Sequence, residues 1–363
     1  MQFIDLARQY QRYKPEIDRR IHGVLDHGQY IMGPEIGELE TALATYVGVR
    51  HAITVASGTD SLEIALRALG VGRGDEVITV PFTWISSAEV ICLVGATPVF
   101  VDIKLSDYNI DVEQIEAAIT TKTKVILAVS LFGQMPDYQK INEIAKKHGL
   151  IVIEDGAQSF GATQNNLKSC GVTKIASTSF FPAKPLGCYG DGGALFTDDE
   201  DLNNRMRAIR THGGVKRHHH PYVGMNGRFD TLQAAILLAK LPYFEEEVRE
   251  RQRIGNYYSE RLKTTCVTPD VANGNTHVYA QYTVRLKKRD AVAEGMRLKG
   301  VPTAVYYPKC LHEQPVFEGL GYAPGMFPNA ELAAKEVLSL PMHPFLTMEE
   351  LDLACTAIGE CCL

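Results

Sequence analysis

The chain has 363 residues, 45% of them hydrophobic, and a formal net charge of −6. That length supports a large core and suggests two or three domains. The only basic cluster near nucleic-acid character, Lys216-Arg217 beside His218-His219-His220, is short, and no run of 18 apolar residues marks a membrane span.

The opening residues Met1-Gln2-Phe3-Ile4-Asp5 lack the basic segment and apolar core of a secretory signal. Residues 1–50 read as an N-terminal arm and helices, with Ile36, Leu39, Leu43 and Val47 near helical spacing and Gly48 as the stop. His51 to Val55 reads as a strand. Ala56-Ser57-Gly58-Thr59-Asp60 follows, then a helical face of Leu62, Ala65, Leu66 and Leu69. A strand, a small-residue turn and a helix start leave backbone N–H groups free where the helix dipole favours a phosphate. An ordinary helix capped by Ser57 or Thr59 is the plain alternative. Gly70-Val71-Gly72-Arg73-Gly74 follows a helix and precedes a strand, the wrong order for a dinucleotide fingerprint, and reads as a loop.

Strands are expected over Glu76 to Val80, Thr97 to Ile103 and Lys124 to Leu131, with helices to about Leu93, over Val112 to Ile119 and over Tyr138 to His148. Trp84, the single tryptophan, falls just past a strand end, where it could stack on a flat ring or pack in the core. The apolar run Leu150 to Ile153 predicts a buried strand that delivers Glu154-Asp155 to its carboxyl end, where open α/β sheets bind ligands. Phe180-Phe181 then leads into Lys184, set between Pro182 and Pro185. A strand-end carboxylate followed by such a lysine suits pyridoxal 5′-phosphate. The amine forms a Schiff base with the aldehyde, and the carboxylate keeps the pyridine nitrogen protonated.

Gly190-Asp191-Gly192-Gly193 turns into a strand, Ala194 to Thr197, and Asp201 to Arg210 is helical. The polar stretch Thr211 to Arg228 carries the three histidines. With no carboxylate or cysteine at ligand spacing, a metal site is not expected there. Helices over Asp230 to Leu241 and Phe244 to Leu262 lead into a second part holding a strand Val278 to Arg285, a helix Ala291 to Lys299, a strand Thr303 to Tyr307 and a closing helix from Thr347. The division falls as 1–241, a large cofactor-binding domain with its arm, and 242–363, a small C-terminal domain. Eight scattered cysteines form no Cys-x-x-Cys pair, so reduced thiols and a cytoplasmic location are expected.

Ordered motifs along nearly the whole chain then resemble one family. They are Phe3-Ile4-Asp5-Leu6, Gly28 to Pro34, Glu154-Asp155-Gly156-Ala157-Gln158-Ser159, Ser179 to Gly187, and Ser339 to Pro344. The chain resembles the DegT/DnrJ/EryC1/StrS sugar-nucleotide aminotransferases. The resemblance implies an α/β fold of the aspartate aminotransferase-like, fold-type I class, with a mostly parallel mixed sheet and a smaller α+β domain. It implies Lys184 as the Schiff-base lysine, Asp155 on the pyridinium nitrogen, and Gln158 on the cofactor's phenolic oxygen. Gly58, Thr59 and Ser179 would hold the phosphate, and Trp84 would stack on the ring. Asn226 would reach the phosphate of a neighbouring subunit's cofactor, so a homodimer with shared active sites is implied.

Within the family, the run from Phe180 to Gly193 is similar to members that aminate C3 of UDP-2-acetamido-2-deoxy-3-oxo-glucuronate. That implies L-glutamate as donor and a role in surface polysaccharide synthesis. A uronate needs a cation, and Arg228 is the candidate, with an interface ion pair as the alternative. Tyr306 and Tyr307 match the segment near the nucleotide, although position 306 is often His in the family. His343 is a candidate for the cleft lining, with a structural histidine as the alternative. The competing readings are a C4 transaminase on a keto-deoxy sugar nucleotide, a sugar dehydratase of the same superfamily, and a non-catalytic cofactor-binding regulator. The presence of Lys184 and the absence of clustered cysteines speak against the dehydratase.

Overall fold

The computed structural model describes residues 1–362. Helix α1 (Leu6–His27) is capped by the Asp5 carboxylate, which accepts the Arg8 N–H at 2.9 Å, and α2 (Pro34–Val47) starts on a proline suited to the first helical turn. Then follow β1 (His51–Val55), α3 (Gly58–Ala68), β2 (Glu76–Thr79), α4 (Ser86–Leu93), β3 (Thr97–Phe100), α5 (Val112–Ala118), β4 (Thr123–Val129), α6 (Tyr138–His148) and β5 (Ile151–Asp155). A two-residue pair, β6 (Thr163–Gln164) and β7 (Leu167–Lys168), precedes β8 (Ile175–Ser179), β9 (Gly193–Thr197), α7 (Glu200–Arg210) and α8 (Thr231–Lys240). The chain continues through α9 (Phe244–Leu262), β10 (Tyr282–Arg285), α10 (Arg289–Leu298), α11 (Pro328–Glu336), β11 (Val337–Leu340) and α12 (Met348–Cys361).

The main sheet has seven strands in the order β1-β9-β8-β5-β4-β2-β3. The pairs among β3, β2, β4, β5 and β8 are parallel, and β9 runs antiparallel to both β8 and β1. One strand of seven is therefore reversed, and the carboxyl ends of the other six share one edge. Helices cover both faces, so β4, β5 and β9 are almost wholly buried, which is why they read as continuous apolar runs.

A second, two-stranded sheet pairs β10 with β11. It packs with α9, α10 and α12 around Tyr258, Tyr282, Met296, Leu340 and Ile358. The two hydrophobic clusters meet along α9. Its Phe244 and Val248 belong to the first cluster, and Ile254, Tyr258 and Leu262 to the second. Cys310, Phe317, Phe327 and Val337 pack with the first cluster although they lie late in the chain.

The expected strand at Thr303 to Tyr307 is not formed. Only Ala304 pairs, exchanging both backbone hydrogen bonds with Ser339 at 3.1 and 2.8 Å. The chain leaves the small sheet after that pair because Tyr307 crosses to the main-sheet edge, where its ring meets Phe82 and Trp84. The strand expected from Val278 begins only at Tyr282, and α11 and β11 were not anticipated.

Candidate active site

β5 lies between β4 and β8, and its last residue, Asp155, is opposite Val129 and Ser177. This buries the carboxylate at the carboxyl edge of the sheet. Oδ2 accepts the Ser87 hydroxyl at 2.8 Å and Oδ1 accepts the Ala157 N–H at 3.2 Å. Burial pushes the Asp155 carboxyl up, and these two donors, together with the nearby Lys184 ammonium, pull it back.

Lys184 sits on the loop joining β8 to β9. The loop is tied at its feet by Phe180 N–H to Gly192 O at 2.7 Å and Cys188 N–H to Phe180 O at 2.8 Å. Lys184 N–H donates to Phe181 O at 2.8 Å. The turn is so tight that a Cβ on Gly187 would lie 2.5 Å from Pro182 O. Burial lowers the Lys184 amine below its usual range, and Asp155 opposes that shift.

Across β9, the turn after β1 forms a cradle. Ser57 caps α3, its hydroxyl accepting the Asp60 N–H at 3.0 Å. Gly58 and Thr59 supply the first amides, ahead of the first helical hydrogen bond, Ser61 N–H to Ser57 O at 3.1 Å. Gly58 faces Ser179 so closely that a Cβ would stand 2.8 Å from the serine Cβ. Any side chain at 58 would push Ser179 away from these amides. Gly58, Thr59 and Ser179 are thus brought together, and the Thr59 hydroxyl also meets that of Ser86 at 2.7 Å.

On the other side of Asp155, Gln158 is buried with its polarity fixed. Its Oε1 accepts the Phe132 N–H at 2.8 Å, so its NH2 group faces the site and donates to the Tyr307 hydroxyl at 3.2 Å. The Tyr307 ring lies 6.0 Å from Phe82 and 6.3 Å from Trp84, and Trp84 is 58% exposed. Tyr306 packs on Phe3 of the N-terminal arm, with ring centroids 6.3 Å apart.

Three candidates stand apart from this group. Asn226 and Arg228 line a cavity of about 490 Å³ with Ser57, Asp60 and Asp191, which borders the α3 turn. Asn226 is exposed, and the Arg228 Nε is buried without a hydrogen-bond partner. His343 is buried elsewhere, among Arg251, Asp5, Glu350 and Arg8, and burial lowers its imidazole to about 4. Among the described residues, no group of three or more His, Cys, Asp or Glu side chains could hold a metal ion, and no helix is long and apolar enough to cross a membrane.

Two neighbours of Asp155 are given no role by the sequence alone. Ser87, in the first turn of α4, carries no local signal. Glu154 does carry one, because a strand buried on both faces must satisfy any carboxylate it contains. Its oxygens accept Ser169 Oγ at 2.6 Å, Ser130 Oγ at 3.2 Å and Cys170 N–H at 2.9 Å, and burial raises it to about 7.

A sequence model of the DegT/DnrJ/EryC1/StrS aminotransferase family matches residues 11–359. The chain belongs to this family. The DegT-family membership is carried by full-length relatives. A Pseudomonas aeruginosa protein named UDP-2-acetamido-2-deoxy-3-oxo-D-glucuronate aminotransferase is 50% identical, with 99% of each chain covered. The crystal structure of a DegT DnrJ EryC1 StrS aminotransferase from Brucella abortus superposes with a TM-score of 0.97 at 41% identity, covering 99% of both chains. A Bacillus subtilis crystal structure with bound cofactor PMP superposes with a TM-score of 0.89 at 32% identity, covering 97% of this chain and 82% of that one. The fold is that of this family's α/β aminotransferases, and the protein is a sugar-nucleotide aminotransferase.

Proposed function

We propose that this aminotransferase uses pyridoxal 5′-phosphate to move an amino group from L-glutamate to C3 of a UDP-linked 3-keto-N-acetylglucosaminuronic acid, in the making of a surface-polysaccharide sugar. One arrangement carries the chemistry: the half-buried Lys184 on the β8–β9 loop and the buried Asp155 carboxylate at the end of β5 share one sheet edge, near enough for each charge to favour the other. The 50% identity to the Pseudomonas aeruginosa enzyme supports the sugar, and the PMP-bound Bacillus subtilis structure supports the cofactor.

The residues fit that group. The first amides of α3 suit a phosphate, with the Ser179 hydroxyl held close beside them because Gly58 carries no side chain. Asp155 keeps lone pairs unused by Ser87 and Ala157. Gln158 presents only donors, as a phenolic oxygen requires. When bound, the cofactor supplies an aldehyde that takes up the amino group and a protonated ring that draws off negative charge.

The chain's own groups do the rest. Burial leaves Lys184 Nζ more often uncharged than a surface lysine, so it can serve as nucleophile and then hold and return a proton. Asp155 holds positive charge at the ring nitrogen, and Trp84 offers its face to the ring. Tyr306 and Tyr307 wall the nucleotide side, whereas His343, buried away from this group beside Arg251 and the start of α1, is read as a structural histidine. Asn226 and Arg228 serve the neighbouring copy of a homodimer, Asn226 at the phosphate and Arg228 as a guanidinium fork for the uronate carboxylate. Exposed Ile31 in the same cavity and Val223, 83% exposed three residues before Asn226 in the chain, support cover by a second copy. In this reading residues 1–241 hold the cofactor and 242–363 close over the sugar nucleotide. One site serves both half-reactions, so ping-pong kinetics are expected.

The test is incubation of the cofactor-loaded protein with L-glutamate and a panel of UDP- and dTDP-keto sugars, read by product mass. Amination of the UDP-3-keto uronate is expected. Transfer only to a dTDP- or UDP-keto-deoxy sugar would replace the substrate, and no 2-oxoglutarate from any member would remove L-glutamate as the donor.

A further inference from the structure

Behind the Asp155 carboxylate lies a row of hydroxyl groups to which no role has been given. Ser87 is 1% exposed, and its Oγ is 2.8 Å from Asp155 Oδ2. Thr83, just before α4, is also buried, with its Oγ1 3.3 Å from Ser87 Oγ. Chemistry fixes the direction of these bonds. An ionised carboxylate accepts only, so the single Ser87 proton points at Asp155. Ser87 Oγ can then only accept from Thr83. The row runs one way, from Thr83 to Ser87 to Asp155.

We infer that Ser87 is a positioning residue whose hydroxyl, oriented by Thr83, keeps Asp155 ionised and fixes the rotation of its carboxylate toward the cofactor's ring nitrogen. The inference rests on the cofactor reading above. Asp155 needs this support. Of the titratable groups that act on it, Lys184 from the β8–β9 loop is the one that can carry positive charge, and burial weakens that charge. Glu154 on its own strand is a like charge, and Tyr138, Cys170 and Tyr307 are uncharged neighbours. Burial favours the neutral acid, and only two hydrogen bonds, from Ser87 and Ala157, favour the anion. A neutral Asp155 keeps the proton on its own oxygen, and the ring nitrogen then loses its charge.

The experiment loads the full-length protein with pyridoxal phosphate 15N-labelled at the ring nitrogen and records its chemical shift at a fixed pH near neutrality. The wild type is expected at the protonated-ring position. Ser87→Ala should move toward the neutral-ring position, because losing a hydrogen bond to a charged group shifts the carboxyl by on the order of one pH unit. Ser87→Thr should restore the wild-type position. Thr83→Val should move the same way by less, and it decides the matter if Ser87→Ala does not fold. In an Asp155→Asn background, Ser87→Ala should add nothing, which a merely structural role would not predict. Ring signals unchanged in both Ser87→Ala and Thr83→Val overturn the inference. A wild-type protein that takes up no pyridoxal phosphate overturns the functional reading instead.

Discussion

The ammonium of Lys240 donates to the carbonyl oxygen of Gly187 at 2.7 Å, beneath the loop that carries Lys184. Lys240 closes α8, is 2% exposed, and also lies 4.1 Å over the Tyr189 ring. Burial lowers its amine from the ordinary 10.5 to about 8. The folded chain therefore binds fewer protons here than the unfolded chain between those values. Stability from this group rises as pH climbs through that window, by on the order of 3 kcal/mol. In Lys240→Met that gain disappears. Urea unfolding at pH 7.5 and pH 10 should show the wild type gaining on the variant at the higher pH. A constant difference would count against it.

Glu154 carries the opposite sign. Its folded value, about 7, stands above the ordinary 4.5, so the folded state binds more protons between the two. Its contribution is full below 4.5 and is lost as pH rises toward 7. Glu154→Gln does not titrate. The stability of the wild type relative to this variant should therefore shrink between pH 5 and pH 7.5, as read by denaturant midpoints.

Lys184→Ala should abolish both turnover and the near-visible absorbance of the lysine-bound cofactor. Asp155→Asn should keep the cofactor yet raise the barrier by about 3–4 kcal/mol, roughly 10²–10³ in kcat, like other lost electrostatic stabilisers. Stopped-flow half-reactions with L-glutamate measure both. Full turnover in Lys184→Ala would remove the amine from the mechanism.

Asp102, just after β3, caps α11 across the molecule. Its oxygens accept the N–H groups of Asn329 at 3.0 Å and Ala330 at 2.9 Å. Asp102→Ala should cost about 1–2 kcal/mol, toward the upper end for helix caps because the site is buried. Thermal unfolding checks the loss, and protease sensitivity around residues 310–337 should rise with it.

How much of this was legible in the sequence follows from burial. β5 could be read because both its faces are covered, so Leu150 to Ile153 is an unbroken apolar run that ends where Asp155 must stand. The α3 turn could be read because Ser57, Gly58 and Thr59 are small at a strand-to-helix junction. The segment around Ala304 reads as a strand because Val305, Tyr306 and Tyr307 favour extended chain whether or not a neighbour is there, yet Ala304 alone pairs. Ser87 and the Gln158–Tyr307 contact depend on packing between segments 68 and 149 residues apart. No local pattern encodes such distances.

The reversed strand β9 has a mechanical consequence. Because β9 returns directly beside β8, Lys184 rides a hairpin pinned at both feet and has no long crossover in which to wander. Sliding β9 by one residue would swing Gly193 away from Ser179 and Val55, and with it the stub on which the amine is mounted. The alignment of two short strands, not the loop itself, sets where the nitrogen can be found.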